Sequence, residues 1–297
     1  MSGRAASVEV DAEAVAAGLE AHEDYRVLRR VREMRRSETP GVRHDMVAAV
    51  VVDVETTGLD IDADPIVELA LTRIWANANG HIRLTGRSRT WFEDPGRPLS
   101  PEIRRLTGLS DEMLAGRSIL DPEAGSLIRD ADVVIAHNAG FDRPRIERRL
   151  PFCAGRPWIC SLRDVDWRGL GFEGGRLGDL LLQAGWFYSA HRAKGDVDAL
   201  IRLLDHDVGD GTTVLRHALD RASRPTARIV ADGSPFEARI PLRARGYRWN
   251  AERKAWEREV DLDARADEVE WVRRSIYAGR RDPSVEPVCW RTRHGAR

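Results

Sequence analysis

The segment VVDVETTGLD, residues 51–60, decides the fold. It begins as a buried strand, because the valines at positions 50–52 and 54 are β-branched and follow two alanines. Asp53 and Glu55 are two residues apart, so their side chains point to the same face of the strand. An unpaired carboxylate in apolar surroundings costs several kcal/mol or more. A solvated face, a structural salt bridge and cation binding are therefore the three alternatives for this pair.

Two later segments supply further acidic residues. Asp142 closes AHNAGFD, just after a predicted buried strand, and Asp196 closes HRAKGD at the start of a predicted helix. An α/β fold presents its chemistry at the ends of its strands. Carboxylate oxygens are preferred ligands of Mg²⁺ and Mn²⁺, and two such ions can hold both the attacking and the leaving oxygen of a phosphodiester. Convergence of Asp53, Glu55, Asp142 and Asp196 would therefore form a site for divalent cations.

The three segments DVETTGLD, AHNAGFD and HRAKGD, in this order, resemble the motifs of the DnaQ-like 3′–5′ exonucleases of the DEDDh subgroup. The resemblance covers about residues 47–208 and includes proofreading members of the epsilon type. It implies an α/β, ribonuclease H-like fold in which helices flank a mixed sheet. It also implies that the four acids coordinate two Mg²⁺ or Mn²⁺ ions. His191, five residues before Asp196, then has the position of the general base, and a histidine can accept a proton from water near neutral pH.

The same resemblance implies a substrate pocket around two of the motifs. The turn after the first motif's acids would meet the 3′-terminal nucleotide, and the second motif would help to shape the pocket. The residues concerned are Thr56, Thr57, Gly58 and Leu59 in the turn, and His137, Asn138 and Phe141 in the second motif. Ordinary core packing is the alternative for Phe141, and Glu68 is interpreted as a structural or supporting residue.

The composition indicates a soluble globular protein. Apolar residues make up 42% of the 297 residues and charged residues 32%. No apolar run approaches the roughly 20 residues of a membrane span, and the N-terminal sequence does not resemble a signal peptide. Cys153, Cys160 and Cys289 have no metal-binding spacing. These features favour a bacterial cytoplasmic protein without a membrane partner, a disulfide framework or structural zinc.

The pattern of residues divides the chain into five parts. Residues 1–46 are predicted to be a helical extension, with helix through about residue 36 because Tyr25, Leu28, Val31 and Met34 recur at helical spacing. The exonuclease domain follows, opening with three antiparallel strands. The predicted parts are the extension at 1–46, the exonuclease domain at 47–208, a linker at 209–224, a small α+β module at 225–278 and a disordered tail at 279–297.

Residues 222–297 carry 17 Lys or Arg against 12 Asp or Glu, and this excess of positive charge suits a nucleic-acid partner. The predicted module within them, residues 225–278, is called the C-terminal module. It loosely resembles HARP-like modules of DNA-processing enzymes. Its aromatic residues could stack on bases or form the core of a small domain. The candidates for nucleic-acid contact are Arg245, Tyr247, Arg248, Trp249, Lys254 and Trp256.

The leading hypothesis is a two-metal 3′–5′ exonuclease that releases nucleoside 5′-monophosphates from DNA, as proofreading and repair members of the family do. Its partners would be single-stranded DNA or 3′ ends and a DNA polymerase or repair protein. An exoribonuclease acting on RNA is the alternative among enzymes. An inactive subunit that only binds nucleic acid is the alternative of a different class, and the presence of all five catalytic positions argues against it.

Overall fold

The computed structural model describes residues 11–35 and 45–295. The elements are numbered in chain order. They are α1 (Ala12–Glu20), β1 (Arg29–Arg30), β2 (Val47–Thr56), β3 (Ile66–Ala76), β4 (Ile82–Thr85), β5 (Arg89–Phe92), α2 (Pro101–Thr107), α3 (Asp111–Leu114), α4 (Asp121–Arg129), β6 (Val133–Ala136), α5 (Ala139–Arg149), β7 (Trp158–Cys160), α6 (Leu177–Gln183), β8 (Trp186–Phe187), α7 (Ala193–Leu204), α8 (Val214–Ser223), β9 (Thr226–Ala231), α9 (Arg239–Ala244), β10 (Arg248–Asn250), β11 (Ala255–Asp261), α10 (Arg265–Ser275) and β12 (Ser284–Val288).

A six-stranded mixed sheet forms the larger part of the molecule. Its strands lie in the order β4-β3-β2-β6-β7, and β5 also pairs with β3. Strand β2 is central, antiparallel to β3 and parallel to β6, and β6 is parallel to β7. The predicted opening meander is present, but its third strand is divided into β4 and β5, both of which pair with β3. The predicted α/β class with a mixed sheet flanked by helices is confirmed.

Alternation along β2 places two hydrophobic cores on opposite faces of this sheet. Val50, Val52 and Val54 pack with residues of α4 and α5. Ala49 and Val51 pack with residues of α6, α7 and α8. Because side chains two apart share a face, the odd-numbered residues that follow Val51 point toward the side of α7. The two acids of β2 are therefore on the side where α7 begins.

The segment before the sheet differs from the predicted long helix. Helix α1 ends at Glu20, and residues 25–35 contain no helix, with Arg29 and Arg30 forming the short strand β1. Arg29 and Arg30 pair in parallel with Trp186 and Phe187 of β8. The helical prediction was therefore wrong for residues 21–35, because pairing with β8 satisfies this backbone in an extended form. The prediction for residues 1–10 and 36–44 lies outside the described residues.

Most of the predicted linker, a polar connector that could contain one short helix, is helix α8. Val214, Leu215, Ala218 and Ala222 are fully buried and belong to the same core as α7. The Gly-containing sequence that suggested a connector ends at Thr213, the residue before the helix. Residues 214–223 are thus part of the packed structure of the larger sheet.

The last described residues are ordered as well, so the predicted disorder of the tail was wrong for residues 279–295. Strand β12 pairs with β9. Beyond it, the backbone oxygen of Trp290 accepts a hydrogen bond of 2.8 Å from the N–H of Trp158, in the edge strand β7. The guanidinium of Arg143 donates to the backbone oxygens of Arg291 and Arg293. These contacts fix the segment onto the larger sheet.

The C-terminal sheet consists of four antiparallel strands in the order β10-β11-β9-β12. Its core contains Ile229, Leu242, Tyr247, Trp256 and Val272, drawn from the sheet and from α9 and α10. This arrangement agrees with the predicted α+β architecture. Among the described residues, no helix has the length and apolar character that a membrane span requires.

Candidate active site

Three carboxylates converge at the end of β2. Oxygen atoms of Asp53, Glu55 and Asp196 all lie within 4.8 Å of one another. Asp53 and Glu55 reach the cluster from alternate positions of the strand, and Asp196 comes from the first turn of α7. Three oxygen donors at this separation form a candidate site for a hard divalent cation. The structure therefore brings together three of the four acids predicted to bind metal.

Asp142 lies beside this cluster but outside the 4.8 Å group. It is in the first turn of α5 and is 1% exposed. Its Oδ1 accepts a hydrogen bond of 3.2 Å from the backbone N–H of Val54, the residue between the two acids of β2. The fourth acid is thus attached to the same strand end, and its charge raises the pKa of Asp53.

Burial raises the pKa of every acid in the cluster. The pKa of Asp53 lies well above its usual range because of burial and of the neighbouring carboxylates. Burial, reinforced by neighbouring acids, raises the pKa values of Glu55 and Asp142 to about 8. The pKa of Asp196 is also raised by burial. Without a cation, these groups retain protons or repel one another, and a bound divalent cation would relieve both effects. The donor set thus fits divalent cations.

Both oxygens of Asp196 are held by hydrogen bonds. The Tyr188 hydroxyl donates to Oδ1 at 2.8 Å, and the backbone N–H of Arg192 donates to Oδ2 at 3.1 Å. These bonds, with the positive charge of His191, oppose the effect of burial on the pKa of Asp196. Sequence reasoning missed Tyr188. Its one signal in the sequence is an aromatic hydroxyl shortly before the third motif, and the two-residue strand that precedes it is too short to predict the direction of the side chain.

His191 is exposed in the loop between β8 and α7. Its backbone has a φ of 67°, in the left-handed region that non-glycine residues rarely occupy. This conformation precedes the turn that starts α7, where the N–H of Arg192 bonds to Asp196. The predicted general base therefore lies beside the carboxylate cluster and is open to solvent.

Glu68 supports the cluster from β3. It lies opposite Glu55 in the β2–β3 register and is 1% exposed. Its carboxylate accepts hydrogen bonds of 3.2 and 3.3 Å from the guanidinium of Arg192 and one of 3.3 Å from the backbone N–H of Ala193. The buried charge is thus paired with the first residues of α7. This contact fits the supporting role predicted for Glu68 and fixes the start of α7 against the sheet.

The turn after β2 is held by Asp64. The Thr57 hydroxyl donates to Asp64 Oδ1 at 3.0 Å, and the Arg97 guanidinium contacts both residues. A Cβ at Gly58 would lie 2.3 Å from Asp64 Oδ2, so a larger residue would displace the Asp64 carboxylate from its contacts in the turn. The Thr56 hydroxyl donates to the backbone oxygen of Gly58. Leu59 is 83% exposed, so its side chain is free to meet a ligand.

The second motif adds a half-buried histidine and the exposed residue Asn138. Burial lowers the pKa of His137 to about 4, so the ring is neutral near pH 7, and its Nδ1 lies 2.8 Å from the Ser161 hydroxyl. Asn138 is exposed and has a φ of 69°. The guanidinium of Arg145 lies 3.7 Å from the ring centre of Phe141, which is half-buried against the core.

The candidates of the C-terminal module divide into buried and exposed residues. Tyr247 is 2% exposed and Trp256 is 9% exposed, and both belong to its core. The prediction that they contact nucleic acid is therefore wrong for these two rings, because a small domain needs them for packing. Arg245 pairs with Glu268. Arg248, Trp249 and Lys254 are exposed.

The mixed sheet, with carboxylates gathered at the end of its central strand, is the arrangement expected for the α/β nuclease predicted from the sequence. A family model described as an exonuclease family, RNase_T, matches residues 50–204, which is more than half of the chain. The chain therefore belongs to this exonuclease family and is a nuclease, a hydrolase of phosphodiester bonds. The predicted resemblance to DnaQ-like exonucleases is confirmed.

Two kinds of bacterial relative are similar to the chain. The DNA polymerase III subunit epsilon of Treponema pallidum (strain Nichols) is 28% identical over 196 residues, which cover 62% of this chain and 86% of that protein. The DNA polymerase III PolC-type of Bacillus subtilis (strain 168) is 40% identical over 99 residues. That match covers 31% of this chain but only 6% of the PolC-type protein.

Solved structures of exonucleases are also similar. Exonuclease X in complex with 5′ overhanging duplex DNA is 23% identical with a TM-score of 0.40, over 57% of this chain and 97% of that chain. The zinc-bound form of the E. coli ExoI–ssDNA complex is 16% identical with a TM-score of 0.41. That match covers 62% of this chain and 48% of the other.

Proposed function

We propose that the protein is a 3′–5′ exonuclease that uses two divalent cations, Mg²⁺ or Mn²⁺, to release nucleoside 5′-monophosphates from the 3′ end of DNA, in proofreading or repair. The observation that carries the proposal is the convergence of Asp53, Glu55 and Asp196 within 4.8 Å at the end of β2. DNA as the substrate is supported by the relatives, which are named as parts of DNA polymerase III.

Asp53, Glu55 and Asp196 would hold the cations, with Asp142 beside them on the same strand end. When bound, divalent cations stabilise the negative charge on the attacking and leaving oxygens of a phosphodiester. The protein contributes the fixed positions of the carboxylates. Asp142 is held by the N–H of Val54, and Asp196 by Tyr188 and the N–H of Arg192. Such outer hydrogen bonds orient metal ligands and reduce the rearrangement needed on binding.

His191 has the role of general base in this proposal. It is exposed beside Asp196, so water can reach its ring. A histidine side chain can take a proton from the attacking water and release it to solvent. His137 is not suited to this task, because burial lowers its pKa to about 4 and its ring is bonded to Ser161.

The turn Thr56–Leu59 and the second motif would receive the 3′-terminal nucleotide. The ring of Phe141 and the exposed side chain of Leu59 offer apolar surface for a base. Asn138 offers polar groups at the same opening. The rigid support that Asp64 gives to Thr57 and Gly58 would keep the turn in place when the strand end enters.

The test is release of mononucleotides from labelled single strands. With Mg²⁺ or Mn²⁺, the wild type should shorten a 5′-labelled DNA strand in steps from its 3′ end, and EDTA should stop the reaction. Asp53→Asn should lower the rate by at least about 10³-fold while the melting curve shows a folded protein, since a metal-binding carboxylate has been lost. His191→Ala should lower kcat by about 10²- to 10⁴-fold, the usual contribution of a general base. Equal product from wild type and Asp53→Asn would contradict the proposal.

A parallel assay decides between DNA and RNA. A DNA strand and an RNA strand of the same sequence are compared. The kcat/KM should be higher for the DNA strand, since the proposed substrate ends in a deoxyribonucleotide. The 2′-hydroxyl is the group by which a protein distinguishes the two. A preference for RNA would replace the DNA assignment with exoribonuclease activity but would leave the exonuclease class unchanged.

Association with a DNA polymerase is part of the proposal, because the epsilon relative is named as a polymerase subunit and matches over most of its length. The test is co-elution of the purified chain with the catalytic subunit of the replicative polymerase from the same organism. Separate elution of the two proteins at micromolar concentration would contradict this partner and favour an independent repair nuclease.

A further inference from the structure

A cleft of about 940 Å³ lies between the two sheets. One wall belongs to the exonuclease domain and includes Leu59, Asn138 and Phe141, three residues assigned above to the nucleotide pocket. The other wall includes Arg248 and Trp249 of β10. The volume is at the upper end of small-molecule sites, which span roughly 300–1,000 Å³. The cleft thus shares residues with the proposed nucleotide pocket and has room for more than one nucleotide.

The cleft carries positive charge that the protein does not neutralise. Seven arginines and four acids line it. Some of these arginines have partners, as Arg293 has with Glu259 at 2.7 Å. Among the described residues, the side chains of Arg163 and Arg248 have no hydrogen bond or ion pair, and both are exposed. Free guanidinium groups facing a cleft suit phosphate ligands, to which Arg donates two hydrogen bonds at once.

Trp249 is the exposed aromatic residue of the cleft wall. Its side chain is 52% exposed, and its ring meets the ring of Trp256 edge-on, with centres 5.8 Å apart. Because Trp256 is buried in the core, this contact holds the Trp249 ring in place while leaving it open to the cleft. A fixed and open indole can stack on a base, and such stacking tolerates any base.

The two walls are held together by the end of the chain. The buried guanidinium of Arg293 donates to the backbone oxygens of Ala222 and Arg224 and to the Thr226 hydroxyl. The neighbouring His294 contacts Asp164 through Nε2 at 3.0 Å. Asp164 belongs to the wall on the exonuclease side, so the cleft is formed before any ligand enters. A preformed cleft reduces the entropy lost on binding.

We propose that this cleft binds the single-stranded DNA that lies on the 5′ side of the terminal nucleotide, with Trp249 stacking on a base and Arg163 and Arg248 contacting phosphates. The inference rests on the proposed function, since it takes the bound strand to be the one whose 3′ end enters the active site. It gives the C-terminal sheet the role of holding the substrate between successive cleavages. Tyr247 and Trp256 have no direct part in this binding, because they form the core.

Binding in EDTA, where no cleavage occurs, tests the inference on the full chain. The probe is a fluorescent single strand of about 12 nucleotides, within the site sizes common for such proteins. Trp249→Ala should raise Kd about tenfold, within the roughly 5- to 100-fold effect of losing one stacked base. Trp249→Phe should restore most of the affinity. Phe236→Ala is the matched control, because Phe236 is 71% exposed on the same module but does not line the cleft. It should bind like the wild type.

The phosphate contacts are tested separately by the dependence of Kd on salt concentration. Arg163→Ala and Arg248→Ala should each reduce the slope of log Kd against log salt by about 0.7, the value for one phosphate contact on a single strand. A structural effect would weaken binding without changing the slope. Arg280→Ala, at an exposed position outside the cleft, should leave both the affinity and the slope unchanged.

Hydrolysis separates failure of this inference from failure of the proposed function. The ratio of kcat/KM for the long strand to kcat/KM for a dinucleotide should fall about tenfold in Trp249→Ala. The inference alone would be overturned if the wild type hydrolyses both substrates and neither Trp249→Ala nor Arg248→Ala changes binding or this ratio. Arg248→Ala could instead weaken the binding of DNA and of polyglutamate equally, while Trp249→Ala has no effect. This outcome would indicate that the cleft binds an acidic peptide, and it would also overturn the inference.

Discussion

Removal of divalent cations should make the protein lose stability as the pH rises from 6.5 to 8. Burial raises the pKa values of Glu55 and Asp142 to about 8 in the folded protein, against ordinary values of 4.5 and 3.8. Between the ordinary and the raised value, the folded state binds more protons than the unfolded state. The free energy of unfolding therefore falls as the pH rises.

Above pH 6.5, the change of stability with pH reports the titration of the carboxylates and not that of His137. The pKa of His137 is lowered to about 4 by burial, from an ordinary 6.5. The unfolded state therefore binds more protons than the folded state between these values, and this histidine destabilises the fold as the pH falls through them. Above about pH 6.5 the ring is largely neutral in both states, so it contributes little to the slope.

The expected magnitude follows from these pKa values. One pKa unit corresponds to about 1.4 kcal/mol. A carboxyl group with a folded pKa of about 8 loses about 1.5 kcal/mol of its contribution between pH 6.5 and 8. Two such groups lose at most about 3 kcal/mol, because titration of one affects the other. For a chain of this size the loss corresponds to a fall in Tm of roughly 5–10 °C.

Thermal unfolding followed by circular dichroism measures the effect. The protein in EDTA should show the falling Tm, and saturating Mg²⁺ or Mn²⁺ should remove the fall, because cations replace the protons. Glu55→Gln should remove about half of the slope in EDTA, whereas Glu237→Gln, at an exposed position, should leave it unchanged. A Tm that is constant or rises over this range in EDTA would refute the reasoning.

Three further predictions concern single contacts. Tyr188→Phe removes the hydroxyl bond to the aspartate of α7 and should raise the Mn²⁺ concentration for half-maximal hydrolysis about 10- to 100-fold, whereas Tyr25→Phe, at an exposed position, should not change it. Gly58→Ala would place a Cβ 2.3 Å from Asp64, so the turn must move, and kcat/KM should fall about tenfold or more while Tm changes little. Arg293→Ala leaves buried acceptors without a partner and should lower the free energy of unfolding, measured in urea, by about 3–5 kcal/mol. A change below about 1 kcal/mol would contradict the bridging role of Arg293.

The central part of the fold was predictable from local patterns. The valines of residues 50–54 predicted β2, and the two-residue period placed Asp53 and Glu55 on one face. Asp196 reached them because it begins a helix whose apolar residues pack on that face. Such patterns concern neighbours in sequence, and they determine which way a side chain points. They do not determine distances, and the structure added the 4.8 Å separation within the cluster.

The contacts that tie distant segments together could not be predicted. Tyr188 is bonded to Asp196 across a loop whose path has no sequence signal. The apolar spacing of Tyr25 to Met34 is compatible with a helix, but Met34 is buried in a segment without helix and Tyr25 is 57% exposed. Pairing with β8 decides this conformation, and that partner lies more than 150 residues away. Helical propensity is a weak tendency that such tertiary contacts override.

Composition was misleading for the last residues. The basic and proline-containing sequence after position 279 is typical of disorder, yet Arg293 is 6% exposed. Its partners include backbone oxygens about 70 residues away, which composition cannot reveal. In the same way, the sequence could not separate Trp249 from Trp256. Adjacent strands β10 and β11 place them in register, with one ring open and the other in the core.

The hydrogen bond between Trp158 and Trp290 has a consequence for the behaviour of the protein at high concentration. Strand β7 is at one edge of the large sheet, and an uncovered edge is a template on which another copy can add a strand. The backbone oxygen of Trp290 accepts a hydrogen bond from the N–H of Trp158 in that strand. The last segment of the chain thus blocks aggregation through this edge. A chain cut before Trp290 would keep all the acids of the cluster and yet become prone to self-association.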